Sequence, residues 1–263
     1  MKSALRVVLV AVMIALATTA CSSAKDAAGP SSSPASAAHA VSATITVFAA
    51  SSLTGTFNDL GTRFEEAHPG VKVVFNYGSS GTLAAQITQG APADVFASAA
   101  PKNMQTVLDA QDASTSTNFA KNTMEVVVPA ANPAKIVTLA DLARPGVKLA
   151  LCVTTAPCGA TADEVFAKAK LTVAPVTREA DAKTTISKIT LGEADAAVVY
   201  VTDVKAATGV TGIPIPSNVN ATTEYPIATL THAGHPDTAA AFVAYVLSST
   251  GRGVLSAAGF LAP

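Results

Sequence analysis

The sequence has few charged and few aromatic residues, and it has no tryptophan. Charged side chains make up 13% of the 263 residues and leave a formal net charge of −1. Without an excess of lysine and arginine, the chain lacks the electrostatic attraction that binds proteins to nucleic acid or anionic membrane surfaces, so we expect neither partner. Apolar residues reach 49%, but alanine is the most frequent of them, and the positive mean hydropathy does not indicate a membrane protein.

Side chains that serve enzymes as bases are scarce as well. Of the four histidines, His39 lies near the N-terminus, His68 precedes a Pro-Gly turn, and His232 and His235 lie close together. This last pair could share a metal ion, but Asp237 is the only acid nearby, and a turn facing solvent is the preferred interpretation. The chain also lacks the Gly-x-Ser-x-Gly elbow and the Walker-type phosphate loop. We therefore expect no enzymatic activity, no cofactor and no metal held directly by protein side chains.

The N-terminus has the pattern of a secretory signal peptide. Lys2 and Arg6 precede the apolar run of residues 7–17, and small residues follow this run. The run is too short for a transmembrane helix. We expect residues 1–20 to act as a signal peptide, which places the mature protein outside the cytoplasm.

Cys21 follows these small residues directly, as the lipidated cysteine does at a bacterial lipoprotein processing site. The match is incomplete because Thr18 occupies a position where such sites usually carry leucine. A plain signal peptide with an incidental cysteine is the alternative. Alanine, serine and proline dominate the residues that follow, so we expect residues 21–42 to form a flexible, lipid-anchored tether.

Cys152 and Cys158 are the remaining cysteines of the exported chain. An oxidising compartment permits a disulfide between them, and the intervening residues, which include Pro157, are long enough to turn back. On the loop-entropy model such a small ring contributes on the order of 2 kcal/mol, so its main effect would be on local shape. A two-cysteine metal site is the alternative, but no histidine lies near this pair in the sequence.

Strand-like runs alternate with helical patterns through the exported chain, which is long enough for two modest domains. The β-α-β-α-β-α order of the first half predicts a parallel sheet with helices on its faces. A second αβ set begins after the strand that ends at Pro129, and the chain later returns to the first. We therefore predict two lobes, lobe I from residues 43–126 with 226–263 and lobe II from residues 127–225.

Two junctions between a strand and a helix carry paired serines. One strand-like run ends at Ser51-Ser52, and a second runs into Ser79-Ser80 between two glycines; a helical pattern follows each pair. The first amides of a helix lack partners, and the helix dipole favours negative charge, so each junction can bind an anion. Serine is also an ordinary N-cap, so a single junction would be weak evidence. Two junctions in one αβ pattern suggest a shared ligand.

The second αβ set offers two further helix starts. One helical pattern begins after Pro157, so we expect the amides of residues 158–160 to be free, and another begins within residues 179–184. Each of these helix starts also has a purely structural interpretation, because every helix of an α/β protein has an N-terminus whether or not it binds a ligand.

Three motifs together resemble the periplasmic molybdate-binding proteins of ABC transporters. They are Thr-Val-Phe-Ala-Ala-Ser-Ser-Leu-Thr at 46–54, Ser-Ser-Gly-Thr-Leu-Ala at 79–84 and Gly-Ala-Pro-Ala-Asp-Val-Phe at 90–96, and the likeness extends to residue 228. The resemblance implies a two-lobed α/β fold, the type II periplasmic-binding-protein fold. Each lobe would be a mixed, mostly parallel sheet flanked by helices, with the ligand in the cleft between lobes.

The resemblance also implies a function and a site. The protein would be a monomeric extracytoplasmic receptor that binds molybdate, and tungstate too, and delivers it to a membrane ABC permease with its ATPase. Neutral donors would hold the oxyanion: the hydroxyls and amides of Ser52 and Ser80, the amides of Cys158 and Ala182, and the hydroxyl of Tyr200. Cysteine at 158 departs from the family pattern, in which alanine is common. Molybdenum would be present only within the oxyanion.

Neutral donors suit a fully deprotonated tetrahedral dianion, because such an ion can only accept hydrogen bonds. A protonated phosphate would need an acceptor, and none of the five positions is Asp or Glu. Sulfate or another tetrahedral oxyanion is the alternative ligand, since cavity size rather than donor type separates these ions. The alternative from a different functional class is an extracytoplasmic enzyme with the same fold that uses Ser52 or Ser80 as a nucleophile. A serine nucleophile needs a base, and no histidine or lysine lies near either serine in the sequence.

Overall fold

The computed structural model describes residues 43–263. The predicted signal peptide, tether and lipidated Cys21 lie outside the described residues. The strands are β1 (Ala43–Ala50), β2 (Val71–Gly78), β3 (Val95–Ala97), β4 (Thr117–Pro129), β5 (Leu149–Cys152), β6 (Thr177–Glu179), β7 (Ala196–Tyr200), β8 (Val210–Pro214) and β9 (Thr222–Thr229). The α-helices are α1 (Thr54–Ala67), α2 (Ser80–Thr88), α3 (Pro101–Asp109), α4 (Pro157–Ala169), α5 (Ala182–Thr190), α6 (Val201–Ala206), α7 (Pro236–Leu247) and α8 (Ser249–Ala258). Two 3₁₀ helices cover Ser51–Leu53 and Leu139–Ala143.

The strands form a mixed sheet in each half, as predicted, but parallel pairs do not predominate, since four of the eight strand pairs are parallel and four are antiparallel. In the first half, β1 lies between β2 and β3 and is parallel to both, and β9 pairs antiparallel with β3. In the second half, β5 lies between β6 and β7 and is parallel to both, while β4 is antiparallel to β7 and β8. The predicted α/β class is therefore confirmed.

Strand β4 is shared by the two halves. Its first part pairs with β9 from Thr117 to Thr123, and its second part pairs with β7 and β8 from Met124 onwards. One continuous strand thus runs from one sheet into the other. The lobe limits given above, at residues 126 and 225, stay a prediction.

Each sheet is covered on both faces by apolar side chains, which explains why strands β1, β3 and β7 are buried along nearly their whole length. In the first half, one cluster packs under α1, α7 and α8 and another under α2 and α3. Phe57 of α1 is fully buried in the first cluster and contacts the rings of Phe75, Phe119 and Phe242. In the sequence, Leu53, Phe57, Leu60 and Phe64 recur at the spacing of one helix face, and all four are fully buried.

Three short elements are absent from the sequence-based description, namely β6, α6 and β8. Each contains six residues or fewer, too few for a hydrophobic period to stand out. Helix α4 also begins earlier than predicted, at Pro157, because proline is well suited to the first position of a helix. Among the helices within residues 43–263, none has the length and apolar character needed to cross a membrane.

Candidate functional site

The five residues predicted to bind the ligand line one pocket. Ser52 and Ser80 contribute from the first half of the molecule, and Cys158, Ala182 and Tyr200 contribute from the second. The cavity volume is only about 10 Å³, which is roughly the space that one water molecule needs. The tertiary structure thus brings together residues that are far apart in sequence, around a space suited to a small compact ion.

A much wider groove of about 620 Å³ runs between α1, α6 and α8. Its lining includes Ser52 but none of the other four predicted residues. Size alone would favour this groove as a ligand site. The narrow pocket is the better candidate because convergent hydrogen-bond donors, rather than volume, define a site for a small polar ligand.

Four helix starts meet at the pocket. Ser52 lies in the 3₁₀ turn before α1, Ser80 and Ala182 are the first residues of α2 and α5, and Cys158 is the second residue of α4. Within residues 43–263, no backbone or side-chain acceptor bonds the N–H groups of these four residues. Unpaired first-turn amides carry partial positive charge, so their arrangement is suited to an anion.

The expectation for the amides of residues 158–160 is correct only at the first position. The N–H groups of Gly159 and Ala160 both donate to the carbonyl oxygen of Ala156, at 3.1 and 3.0 Å. The turn that leads into α4 satisfies these two donors locally. Cys158 therefore contributes the one amide of this stretch that has no partner among the described residues.

The predicted disulfide is present and shapes this loop. Cys152 ends β5, Cys158 lies in the first turn of α4, and their Cα atoms are 5.8 Å apart. The loop folds back so tightly that a Cβ atom on Gly159 would overlap the carbonyl oxygen of Val153. The bridge and the glycine together hold the start of α4 against the pocket.

Ser80 is completely buried, and its hydroxyl has a defined role. The oxygen atom accepts a hydrogen bond from the N–H of Ala99 at 2.9 Å. Since a hydroxyl can accept and donate at the same time, this contact leaves the O–H of Ser80 to donate into the pocket. Ala99, which lines the pocket as well, was not identified from the sequence.

The hydroxyl of Ser52 has a partner that the sequence analysis missed. Its Oγ lies 3.0 Å from the Oη of Tyr225, which is fully buried on β9. Tyr225 belongs to the last stretch of the family resemblance, but no local pattern indicates its partner. The two residues are separated by 173 positions in the chain, so only the tertiary structure reveals this contact.

Tyr200, at the end of β7, carries the most informative atom of the site. Its side chain is 1% exposed, and its Oη is the one buried side-chain polar atom of residues 43–263 that makes no hydrogen bond of good geometry, although the hydroxyls of Thr161 and Tyr225 lie nearby. Burial raises the pKa of the Tyr200 phenol, so the group remains protonated and keeps a hydrogen to donate. Because a buried hydroxyl without a partner is costly, this atom indicates a place for an acceptor from a ligand.

No lysine or arginine lines the pocket. Its single acidic residue, Asp181, accepts a hydrogen bond from the N–H of Thr184 at 2.9 Å and thereby caps α5. Just outside the pocket, Asp203 accepts from the N–H of Tyr200 at 3.2 Å, and burial raises the pKa of Asp203 to about 7. Near neutral pH this carboxyl therefore carries less negative charge than an exposed aspartate does.

Residues 43–263 contain no cluster of three or more His, Cys, Asp or Glu side chains that could hold a metal ion.

The fold and the pocket define a class of protein, since two α/β lobes around a donor-lined pocket are typical of extracytoplasmic solute-binding proteins. The family model for bacterial extracellular solute-binding proteins matches residues 45–261. The molybdate-binding protein ModA of Mycobacterium tuberculosis is 39% identical over 257 residues, which cover 97% of each chain. The chain therefore belongs to the family of bacterial extracellular solute-binding proteins and, within it, to the group of the ModA proteins. It is a binding protein and not an enzyme.

Two solved structures share the fold. The periplasmic molybdate-binding protein of Azotobacter vinelandii matches with a TM-score of 0.72 at 22% identity, over 83% of this chain and 99% of the other. The sulfate-binding protein SubI of Mycobacterium tuberculosis matches with a TM-score of 0.72 at 19% identity, over 82% of this chain and 86% of the other. These matches confirm the predicted two-lobed periplasmic-binding-protein fold.

The two buried tyrosines allow a direct test of the site geometry. Tyr225→Phe removes a bonded hydroxyl and is expected to lower the free energy of unfolding by about 1 kcal/mol. Tyr200→Phe removes a hydroxyl without a partner and is expected to leave the stability of the ligand-free protein unchanged or to raise it. Urea unfolding followed by circular dichroism measures both values. Equal destabilisation by the two variants would contradict the assignment of Tyr200 as an unpartnered donor.

Proposed function

We propose that this protein is an extracytoplasmic receptor that binds molybdate, and tungstate as well, and delivers the ion to a membrane ABC permease with its ATPase. The observation that carries the proposal is the buried, unpartnered hydroxyl of Tyr200, which faces four helix starts with free amides. The 39% identity to the ModA protein of Mycobacterium tuberculosis supports molybdate as the ligand.

The binding residues in this proposal are Ser52, Ser80, Cys158, Ala182 and Tyr200. A tetrahedral dianion presents only acceptors, and these residues present hydroxyl and amide donors. Dipoles and several hydrogen bonds, rather than a cationic side chain, would balance the negative charge of the ion. Protein atoms would contact only the oxygen atoms of the ligand, and no bond from protein to molybdenum is involved.

Closure of the two lobes over the ion is part of the proposal. With the limits predicted above, Lys205 belongs to lobe II and Ala257 to lobe I, and the Nζ of Lys205 donates to the carbonyl oxygen of Ala257 at 2.7 Å. Ala257 lies in the last turn of α8, where a helix attracts positive charge. This contact would favour the closed form, whose combined surface the permease would recognise.

The N-terminal part of the proposal concerns Cys21, which we infer to be lipidated so that a monomeric receptor stays on the outer face of the membrane. The support is the signal-like pattern of residues 1–20 and the tether composition of residues 21–42. Cys21→Ser is expected to move the protein from the membrane fraction to the soluble fraction after cell lysis. Membrane fractionation followed by immunoblotting measures this shift, and an unchanged membrane fraction would argue for a different anchor.

Calorimetric titration of the soluble form, residues 22–263, tests the ligand assignment. Molybdate and tungstate are expected to bind with similar, high affinity, because both are deprotonated tetrahedral dianions. Sulfate is expected to bind more weakly, since the ModA relative at 39% identity is a molybdate-binding protein. Hydrogen phosphate is expected to bind weakest of the four, because none of the five residues is an Asp or Glu that could offer its proton a carboxylate. Tight binding of sulfate together with no binding of molybdate would overturn the proposal in favour of a sulfate receptor.

The two serines test the site within the same assay. Ser52→Ala and Ser80→Ala each remove one donor to the ion and are each expected to weaken molybdate binding by about 1–3 kcal/mol. Ser256→Ala, at an exposed position in α8, removes a hydroxyl outside the pocket and serves as the matched control. If both pocket variants kept the affinity of the unaltered protein, the site would have to lie elsewhere.

A further inference from the structure

The loop between β5 and α4, which brings the amide of Cys158 to the pocket, has few hydrogen bonds to the rest of the protein. Within residues 43–263, residues 154–158 make hydrogen bonds only inside the loop and the first turns of α4. The loop is held at its beginning by Val153, whose N–H donates to the carbonyl oxygen of Glu179 at 2.8 Å. Ala156 and Cys158 are buried in an apolar cluster, but apolar packing has no preferred direction. A further constraint is therefore needed to fix the direction of the Cys158 amide.

The disulfide supplies this constraint at the residue that carries the amide. It joins Cys158 to Cys152, the last residue of β5, and both residues are buried. The carbonyl oxygen of Cys152 accepts a hydrogen bond from the guanidinium group of Arg178 at 2.9 Å, so the end of the strand is itself held in place. Because a disulfide allows only a small range of geometries, the bond from this strand end restricts the directions that the Cys158 amide can take.

The same bridge also contacts the helix that supplies the second amide of this half. The Sγ of Cys152 lies 3.2 Å from the Oγ1 of Thr185, a fully buried residue near the start of α5. The hydroxyl of Thr185 donates to the carbonyl oxygen of Asp181 at 2.8 Å, and Asp181 directly precedes Ala182. The bridge therefore lies between the two helix starts whose residues Cys158 and Ala182 line the pocket.

We propose that the Cys152–Cys158 bridge positions the amide of Cys158 for the ligand, so that oxyanion binding and oxidation of the bridge favour each other. This inference rests on the proposed oxyanion-binding function. A hydrogen bond weakens steeply as its angle departs from linearity, so a loop that is free to turn loses part of this contact. The chain-entropy account of disulfides differs, because it places the whole effect on the unfolded chain and predicts no change in the affinity of the folded protein.

The coupling between bridge and ligand acts in both directions. A dithiol reagent such as dithiothreitol gives two electrons and two protons to the bridge: the S–S bond breaks, Cys152 and Cys158 each become a thiol, and the reagent closes into a cyclic disulfide. If the oxidised protein binds the ion more tightly by some factor, the bound ion makes the bridge harder to reduce by the same factor. Two independent measurements must therefore give one value.

The first measurement removes both sulfur atoms. Cys152→Ala combined with Cys158→Ala keeps the backbone amide at position 158 and removes the bridge. The affinity of this double variant for tungstate, measured by calorimetry on the soluble form of the full exported chain, is expected to be about ten-fold lower than that of the unaltered protein, because one hydrogen bond to a charged group is weakened. An unchanged affinity in the folded double variant would overturn the positioning role while leaving oxyanion binding intact.

The second measurement uses redox buffers on the unaltered protein. The protein is equilibrated with mixtures of reduced and oxidised dithiothreitol at mildly alkaline pH, with and without saturating tungstate, and maleimide labelling counts the free thiols. Tungstate is the probe because thiols reduce it less readily than molybdate. The ratio of reduced to oxidised reagent at the midpoint is expected to rise about ten-fold with tungstate, which corresponds to a reduction potential lower by about 30 mV. A midpoint that tungstate does not move would contradict the coupling, even if the double variant did not fold.

Val165→Ala is the control for stability, because Val165 is fully buried in α4 and does not line the pocket. It removes apolar contacts, so thermal melting is expected to show a lower melting temperature, while the affinity for tungstate stays that of the unaltered protein. A loss of affinity in Val165→Ala as large as that in the double variant would show that stability alone governs binding, and would overturn the positioning role. Failure of the unaltered, oxidised protein to bind any tetrahedral oxyanion would overturn the proposed function together with this inference.

Discussion

The site depends on one constraint, which is that a buried hydrogen-bond donor needs an acceptor. The hydroxyl of Tyr200 and the first amides of four chain segments lie at one narrow pocket, and no protein atom of residues 43–263 makes a hydrogen bond of good geometry with them. Each unsatisfied donor costs about 1–3 kcal/mol. An oxyanion can satisfy several donors at once, and this is the physical basis of the ligand proposed for the pocket.

Neutral donors would also allow the proposed site to separate ions of equal charge. A cationic side chain would attract any anion, whereas fixed hydroxyls and amides distinguish oxygen atoms that accept from oxygen atoms that carry a proton. Both serines also contact protein groups behind the pocket. Ala99 acts on Ser80 through its amide, and Tyr225 acts on Ser52 through its phenol.

The longer elements of the fold could be predicted because their signals are local. The apolar period of α1 and the Pro-Gly turn after it are visible in a window of a few residues. Elements such as α6, only six residues long, leave no comparable signal. The amides of Gly159 and Ala160 were expected to be free and are not, since a turn at Ala156 satisfies them in a way that composition does not reveal.

By itself, the sequence determined where strands end and helices begin, which residue types stand at these junctions, and which two cysteines can be joined. The tertiary structure decided which of these junctions meet, which amides stay unpaired and which hydroxyl groups contact each other. The physical reason is the range of the interactions. Helix starts are set by neighbours in the chain, whereas the contact between Ser52 and Tyr225 spans 173 positions and exists only because β9 folds back beside β3 and β4.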